Sequence, residues 1–268
     1  MTARTYRFNA SRAATMLFYA VHANSVVPVA DLLRATGRRD DFSISDAYQV
    51  QEALIKLHES AGQFQVGWKI GMTNDERRAA MGLNEPSRGA LFADQVWGGG
   101  HGRLLSKIPA AHLEPEVAAR VLHRIEPGSS VSDVADLVEV TGAIEVVSSR
   151  IAGWPQVPFG VALADNSAGW GAVVVDGGVK LAPQELAQVM VTFYGPVGRV
   201  SGCGRAVLGQ PLQAVRWLAG FLASSGRYLE PGELVLTGAL TRALPAIAGQ
   251  YTAEFSGGLG RVGVEVMG

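Results

Sequence analysis

Apolar residues at helical spacing predict helices in the first sixty residues and again near position 215. Over residues 45–60 the apolar positions repeat every three or four residues, and Ser43 or Ser45 can cap the start. Residues 210–226 form the clearest helix, because one apolar stripe runs along it, Pro211 suits its first turn and Gly226 ends it. A further helix is predicted over residues 10–22.

Strand patterns dominate the rest of the chain. They cover residues 64–71, 170–175, 233–237, 251–255 and 261–266, together with the segment around Glu145. Residues 84–88 and 165–167 suit turns, residues 176–178 a hairpin turn, and residues 132–140 a helix. Thr73 and Glu76 match the capping box of a short helix that stops near Gly82. Helices come first and strands mostly later, so the pattern predicts an α+β fold.

Three glutamates lie in the predicted strands among apolar residues. Glu114 and Glu116 point the same way if their segment is extended, and Glu145 lies in a second apolar strand. Buried carboxylates need a partner, and an all-oxygen set of ligands favours Mg²⁺ or Mn²⁺ over Zn²⁺. His112 shares the strand face and is a possible fourth ligand. The alternative is that these are solvated strand glutamates and a partly exposed histidine.

Lys69 lies between two glycines in an apolar strand, where a lysine is unusual. It either reaches the surface along its apolar stem or has a functional role, and the pattern alone leaves both open.

The amino-acid composition limits the classes of protein to which the chain can belong. The chain has 268 residues, of which 48% are hydrophobic and 18% charged, which fits a globular protein with a sizeable core. Its net charge of −1 lacks the excess of basic residues that is typical of nucleic-acid-binding proteins. No stretch of the sequence is long enough and apolar enough to span a membrane. Cys203 is the only cysteine, which fits a reducing compartment, and a cytoplasmic location is expected. The N-terminus has a weak similarity to a signal or transit peptide, because Arg4, Arg7 and Arg12 precede an apolar stretch. We expect an ordinary helix there.

One formal motif is rejected on its context. Residues 258–263 match the dinucleotide fingerprint, but no helix or acidic residue follows them at the chain end.

Six short motifs occur in one order along the chain and together carry a family resemblance. They are GWKIGMT at 67–73, LFAD at 91–94, LEPEVA at 113–118, IEVVSSRI at 144–151, ADN at 164–166 and LTGAL at 236–240. The chain resembles the 2-keto-4-pentenoate hydratase and 4-oxalocrotonate decarboxylase family of the fumarylacetoacetate hydrolase superfamily. The resemblance runs from about Gly67 to the C-terminus.

The resemblance implies a fold, a cofactor and an assembly. It implies a mixed β-roll, a barrel-like catalytic core of the fumarylacetoacetate hydrolase C-terminal type, over residues 67–268, with residues 1–66 as a helical region packed on it. It implies Mg²⁺ or Mn²⁺ at Glu114, Glu116 and Glu145, and Lys69 beside the substrate. Members are homo-oligomers, and some hydratases and decarboxylases associate with each other, so a homo-oligomer and an association with a related pathway enzyme are expected.

The implied chemistry is metal-assisted work on a 2-keto acid or its dienol. The acid chelates the metal through its carboxylate and 2-oxo oxygens, and the metal stabilises the enolate. Lys69 adds positive charge or a proton, and its pKa is expected to be lowered by nearby cationic charge and by burial. Our first hypothesis for the activity is a hydratase. A decarboxylase, an isomerase or cyclase, an acylpyruvate hydrolase and a non-catalytic partner subunit are the alternatives.

One departure from the family pattern bears on the reaction. The hydratases resembled here carry an acid/base aspartate in the turn where this chain has Ser87, and a hydroxyl holds its proton near neutral pH. Arg88 could instead hold a second substrate carboxylate, or it points to solvent. Asp94 and Asp165 remain candidates for proton transfer, or they cap turns. Ser87, Ser167 and Thr237 are further candidates for substrate binding, or Ser87 merely shapes the turn.

Overall fold

The computed structural model describes residues 8–23, 25–105 and 108–268. Its helices are Ala10–His22 (α1), Val29–Thr36 (α2), Ile44–Ser60 (α3), Asp75–Ala80 (α4), Val131–Leu137 (α5), Phe159–Ala164 (α6), Pro183–Gln188 (α7) and Leu212–Ala223 (α8). Arg4 and Arg7 lie outside the described residues. Within those residues, no helix is both long enough and apolar enough to cross a bilayer.

The strands form two sheets. They are Gln65–Gly71 (β1), Ser87–Phe92 (β2), Val96–Trp97 (β3), His101–Leu105 (β4), His112–Val121 (β5), Val138–Val147 (β6), Gly169–Val174 (β7), Met190–Gly195 (β8), Gly198–Cys203 (β9), Leu234–Ala239 (β10), Leu244–Pro245 (β11), Gly249–Phe255 (β12) and Arg261–Met267 (β13). In the described chain the larger sheet runs β2-β1-β10-β5-β6-β7-β3, with β11 beside β5, and the smaller runs β4-β13-β12-β8-β9. The α+β prediction is confirmed.

The main core lies between the two sheets. Trp68 and Val117 of the larger sheet share one cluster of buried side chains with Phe193 and Tyr251 of the smaller sheet. Because side chains alternate along a strand, the residues between these core positions point to the other face of the larger sheet. Lys69, Glu116 and Ala118 are such residues, and that second face carries the candidate site.

The N-terminal helices have a core of their own. Leu17 of α1 and Val50 of α3 pack in one cluster with Val161 and Leu163 of α6. Ser43 caps α3 in a capping box with Asp46, as its position predicted. The helix α2 carries no strong sequence signal and was not predicted.

Several local predictions differ from the structure. The short helix α4 is capped by Asn74, whose side chain accepts the Arg77 N–H at 2.9 Å, and not by Thr73. The helix predicted over residues 132–140 ends at Leu137, because the next residues already belong to β6. The turn predicted over residues 84–88 ends where β2 begins at Ser87. The turn at 176–178 does not fold the chain back on β7, since Val179 pairs with Val140 of β6.

Candidate active site and metal centre

Three glutamates converge on the second face of the larger sheet. Glu114 and Glu116 lie on β5, and Glu145 lies on β6 directly opposite Glu114. One carboxylate oxygen from each lies within 4.8 Å of the others. Glu116 and Glu145 are only 1% exposed. The alternation read from the sequence therefore brings together the three residues that it singled out.

The three carboxyl groups resist ionisation together. Burial raises the pKa of Glu145 to about 7, against the attraction of Lys69. Burial, and then repulsion from Glu145 and Glu114, raises the pKa of Glu116 well above its ordinary value. Burial also raises the pKa of Glu114. Burial and mutual repulsion thus disfavour full ionisation of the three glutamates, because close anions in a dry site repel.

Lys69 lies on β1 beside this cluster. Its Nζ is 3.2 Å from Oε1 of Glu145 and donates to the main-chain oxygen of Ser167 at 3.1 Å. Burial is the largest influence and lowers the pKa of Lys69, but the combined attraction of the three glutamates leaves that pKa above its ordinary value. The sequence predicted a lowered pKa for Lys69 on the assumption that a cation lies nearby. Such a cation would offset the attraction of the glutamates, which here raises the pKa.

A left-handed turn over residues 166–168 faces the lysine. Asn166, Ser167 and Ala168 have φ values of 52°, 51° and 56°. Such conformations are strained for residues other than glycine and cluster at functional sites. The Asn166 side chain fixes the turn to β2, since it accepts the Ala90 N–H at 2.7 Å and donates to the Ala90 oxygen at 2.9 Å.

The same turn pairs the two candidate serines. Ser167 Oγ lies 2.9 Å from Ser87 Oγ, which is on β2. Gly71 of β1 leaves the space beside them open, because a Cβ there would lie 2.9 Å from Ser87 Oγ and 3.5 Å from Lys69 Nζ. The two hydroxyls and the ammonium group therefore face one small space.

A cavity of about 290 Å³ opens at this space. Lys69, Ser87, Ser167 and Glu114 line its polar side. A second cleft of about 420 Å³ adjoins it and contains Glu116, while Glu114 and Arg77 line both. A small molecule in the cavity can thus contact the candidate metal ligands and the lysine at once.

The two candidate aspartates lie elsewhere. Asp94 is exposed on the surface and accepts from Gln63 Nε2 at 2.5 Å. Asp165 is fully buried and binds Arg150 Nε at 2.6 Å and the Arg150 N–H at 2.7 Å. Neither lines the cavity, and Asp165 holds the chain before the left-handed turn in place.

Arg88 and Thr237 also point away from the cavity. Arg88 follows Ser87 on β2 and so faces the opposite side, where it pairs with Glu52 of α3 and lies 5.0 Å from the ring centroid of Trp68. Thr237 is buried and donates its hydroxyl to the Val117 oxygen at 2.9 Å. The next residue, Gly238, donates its N–H to Glu116 Oε2 at 2.8 Å, and its φ of +117° requires glycine.

Among the other side chains that line the cavity are His112, Arg77 and Trp154. His112 lines it, but its Nδ1 lies 2.9 Å from the Ala110 oxygen and the residue is not part of the glutamate cluster. Sequence reasoning missed Arg77 and Trp154. Arg77 lies in the first turns of α4, and the capping residue Asn74 was the sequence signal that could have placed it there. Trp154 lies in a loop with no periodic pattern to place it.

The donor set fits a hard divalent cation. Both carboxylate oxygens of Glu145 are buried; Oε1 pairs with Lys69 Nζ at 3.2 Å, and within the described residues Oε2 has no hydrogen bond. The donors are all carboxylate oxygens, which suit Mg²⁺ better than softer ions. An ion of charge +2 would satisfy these oxygens and relieve the repulsion that raises the pKa values.

Comparison with characterised proteins identifies the family. The chain is 35% identical over 266 residues to 2-keto-4-pentenoate hydratase 2 of Dechloromonas aromatica, covering 96% of this chain and 98% of that protein. It is 34% identical to the TodF product hydratase of Pseudomonas putida F1, covering 94% and 92%. The chain belongs to the 2-keto-4-pentenoate hydratase family. The family resemblance drawn from the six motifs is confirmed. The prediction that the protein is a lyase is confirmed as well, because hydratases are lyases. No protein-family model matches the chain.

Solved structures agree with this assignment. The 4-oxalocrotonate decarboxylase of Pseudomonas putida G7, complexed with magnesium and adipate, superposes with a TM-score of 0.82 at 26% identity and covers 98% of this chain and 100% of its own. The 2-hydroxyhepta-2,4-diene-1,7-dioate isomerase of Mycobacterium marinum shares the fold, with a TM-score of 0.56 at 15% identity over 76% of this chain and 75% of its own.

Proposed function

We propose that this enzyme hydrates a 2-hydroxydienoate, the enol form of an unsaturated 2-keto acid, at a Mg²⁺ ion held by Glu114, Glu116 and Glu145. The observation that carries the proposal is the convergence of three carboxylates, in which one oxygen of the buried Glu145 lies within 4.8 Å of an oxygen from each of Glu114 and Glu116. Mn²⁺ suits the same donors. A bound ion supplies Lewis-acid stabilisation of negative charge on the substrate's 2-oxo group.

The chain's own residues supply the proton transfer and the positioning. Lys69 holds a proton on Nζ at neutral pH and can deliver it to a substrate bound in the cavity that Lys69 and Glu114 both line. Ser87 and Ser167 share one hydrogen bond and keep further capacity to orient a water molecule or a substrate hydroxyl. Because a hydroxyl is not a base near neutral pH, proton transfer belongs to Lys69 and not to Ser87.

Decarboxylation is the second candidate, favoured by the similarity to the solved decarboxylase. Hydration is preferred for two reasons. Hydratases are matched at higher identity than that decarboxylase is. In addition, Arg88, the residue predicted to bind a second carboxylate, pairs with Glu52 away from the cavity.

Finer points of the assembly belong to the same proposal. We propose that the two sheets form the β-roll of the fumarylacetoacetate hydrolase C-terminal type over residues 67–268, and that the described part of residues 1–66 packs on it. The shared core of α3 and α6 supports this packing. A homo-oligomer, an association with a related pathway enzyme and a cytoplasmic location stay predictions from the sequence.

Turnover after metal removal and return tests the proposal. Protein stripped with a chelator receives Mg²⁺ or Mn²⁺, and 2-hydroxypenta-2,4-dienoate or a 2-hydroxymuconate-type dicarboxylate is followed by ultraviolet absorbance and product mass. Metal-dependent gain of water is expected. Metal-dependent loss of CO₂ would assign the decarboxylase reaction instead, and no turnover with metal bound would contradict both.

A matched pair of variants separates the site from the scaffold. Glu145→Gln removes one proposed ligand and is expected to abolish metal binding. Glu139→Gln, on the same strand but outside the cluster, is expected to keep metal binding and turnover. Equal metal affinity in the two variants would contradict the ligand assignment.

A further inference from the structure

Side chains, and not another strand, hold the outer edge of β2. This strand lies at one end of the larger sheet and pairs with β1 alone in the described chain. Main-chain groups of Arg88 and Ala90 on β2 bond to two side-chain amides, those of Gln51 and Asn166. Main-chain groups that are removed from water need such partners, because leaving them unpaired is costly. The two amides therefore take the place of a neighbouring strand.

Gln51 reaches this edge from the N-terminal helices. It lies on α3 and is 1% exposed. Its Nε2 donates to the main-chain oxygen of Arg88 at 2.9 Å and to that of Leu163 at 2.6 Å. Its Oε1 accepts from Nη1 of Arg88 at 3.1 Å. The side chain thus both donates and accepts at this position, which an ionised glutamate could not do because it has no hydrogen to donate.

The two oxygens that accept from Gln51 belong to the elements that carry the candidate serines. Arg88 directly follows Ser87 on β2. Leu163 lies in the last turn of α6, where main-chain oxygens have no partner inside the helix. The left-handed turn with Ser167 follows that helix. Gln51 therefore joins the strand of one serine to the helix that leads to the other, and the two hydroxyl oxygens lie 2.9 Å apart.

We infer that Gln51 is a positioning residue that sets the separation of Ser87 and Ser167 from outside the cavity. Asn166 attaches the turn to Ala90, and Gln51 attaches α6 to Arg88. A contact attached at one point can pivot, whereas a second attachment restricts it. The inference rests on the proposed function, which takes the two serines as groups that orient a reactant. The N-terminal helices then take part in the reaction, although none of their described residues lines the cavity.

Gln51→Met tests the kinetic consequence, because methionine keeps the length of the side chain and removes its hydrogen bonds. We expect kcat for 2-hydroxypenta-2,4-dienoate to fall at least about tenfold, since a small displacement of groups that orient reactants lowers the rate strongly. Mg²⁺ affinity is expected to stay native, because the proposed ligands lie on β5 and β6. Gln49→Met, the same change at an exposed position on α3, is the control with native kcat.

A double-mutant cycle with Ser87→Ala separates positioning from a general loss of structure. If Gln51 acts through the serine contact, adding Gln51→Met to the Ser87→Ala protein should lower kcat less than about twofold, because that contact is already absent. Denaturant unfolding should still show a loss of stability from Gln51→Met in both backgrounds. If Gln51→Met does not fold, Gln51→Glu, which keeps the acceptor for Arg88 and loses the donor, replaces it in the cycle.

Hydrogen exchange tests the attachment without turnover. Main-chain amides of residues 164–169 should exchange faster in Gln51→Met than in the native protein or in Gln49→Met, while those of β5 keep their native rates. Native exchange at 164–169, native kcat, or effects on kcat that multiply in the double variant would overturn the inference and leave the metal site standing.

Failure of the proposed function gives a different result. If the native enzyme turns over neither 2-hydroxypenta-2,4-dienoate nor a 2-hydroxymuconate-type dicarboxylate with Mg²⁺ bound, the proposed function fails, and the kinetic role of Gln51 fails with it. Hydrogen exchange in Gln51→Met still decides whether Gln51 holds the turn.

Discussion

Glu145 is a buried carboxyl group whose charge is disfavoured by its surroundings. Its carboxyl group has a pKa of about 7 because burial disfavours its charge. A divalent ion must displace the protons that such groups hold, so metal binding and proton release are coupled.

Magnesium affinity is therefore expected to fall as the pH drops through about 7. At pH 7 we expect release of at least roughly half a proton for each ion bound, and less at pH 8.5, where the carboxyl group of Glu145 is already ionised. Calorimetry in two buffers of different ionisation enthalpy measures this number directly. Affinity that is independent of pH between 6 and 8.5 would show that the ion binds elsewhere.

Lys69 is expected to matter for turnover and not for metal retention. Lys69→Met removes the proton donor, and we expect turnover to fall at least about a hundredfold. The variant also removes a cation beside Glu145, so Mg²⁺ is expected to bind no more weakly than in the native protein. Lys180→Met, at an exposed lysine that donates to the Asp136 oxygen, serves as the control with native turnover. Loss of metal binding in Lys69→Met would contradict this division of roles.

Single residues also show what the sequence can and cannot reveal. The Glu114 and Glu116 alternation and the unusual Lys69 are visible because strand geometry and burial rules apply to short segments. The positions of Asp94, Asp165 and Arg88 are not visible. Their side chains face Gln63, Arg150 and Glu52, partners that the fold brings from distant positions.

At the scale of elements, the turn at residues 166–168 depends on one amide. The side chain of Asn166 makes two hydrogen bonds to Ala90 on β2, and the turn it fixes carries the main-chain oxygen that accepts from Lys69. A polar turn was predicted here, but its left-handed conformation and its attachment to β2 were not, because neither is encoded within the turn itself.

Asn166→Ala is expected to reduce stability and turnover together. The loss of two buried hydrogen bonds that leaves the Ala90 groups unpaired should lower the free energy of unfolding by about 2–4 kcal/mol. Denaturant unfolding measures this change, and turnover of the folded variant should fall because Ser167 is no longer fixed. Asn84→Ala, at an exposed position, provides the control, and an equal effect of both changes would refute the role of Asn166.

At the scale of the whole molecule, many of the helices and strands were predicted in type and order, but their arrangement was not. The helices over residues 10–22, 45–60 and 210–226 match α1, α3 and α8 closely, because long amphipathic patterns give clear signals. The hairpin of β8 and β9 was missed, and so was the pairing of β4 with β13, which joins segments about 160 residues apart. Such pairings depend on tertiary context that periodicity does not contain.

Metal binding is expected to stabilise the entire chain in a manner that depends on pH. The raised pKa of Glu145 means that its contribution to the stability of the metal-free protein is present below pH 4.5 and is lost as the pH rises through about 7. Bound Mg²⁺ removes this penalty, and at one hundred times its Kd it adds about 2.7 kcal/mol. The gain in Tm on adding Mg²⁺ should therefore be larger at pH 8 than at pH 6. A gain that is equal at both values, or that is also seen with Glu145→Gln, would contradict the coupling.

The two sides of the cavity have different origins in the chain, and this has a consequence for how such an enzyme can change. The three glutamates and Lys69 lie on interior strands whose register is fixed by their neighbours, so altering them disturbs the sheet. Most of the apolar lining comes from one short stretch between β6 and β7. Exchange of residues 154–163, which precede the turn that carries Ser167, offers a route to new substrates that leaves the reacting groups in place, and this part of the stretch is the natural target for directed evolution.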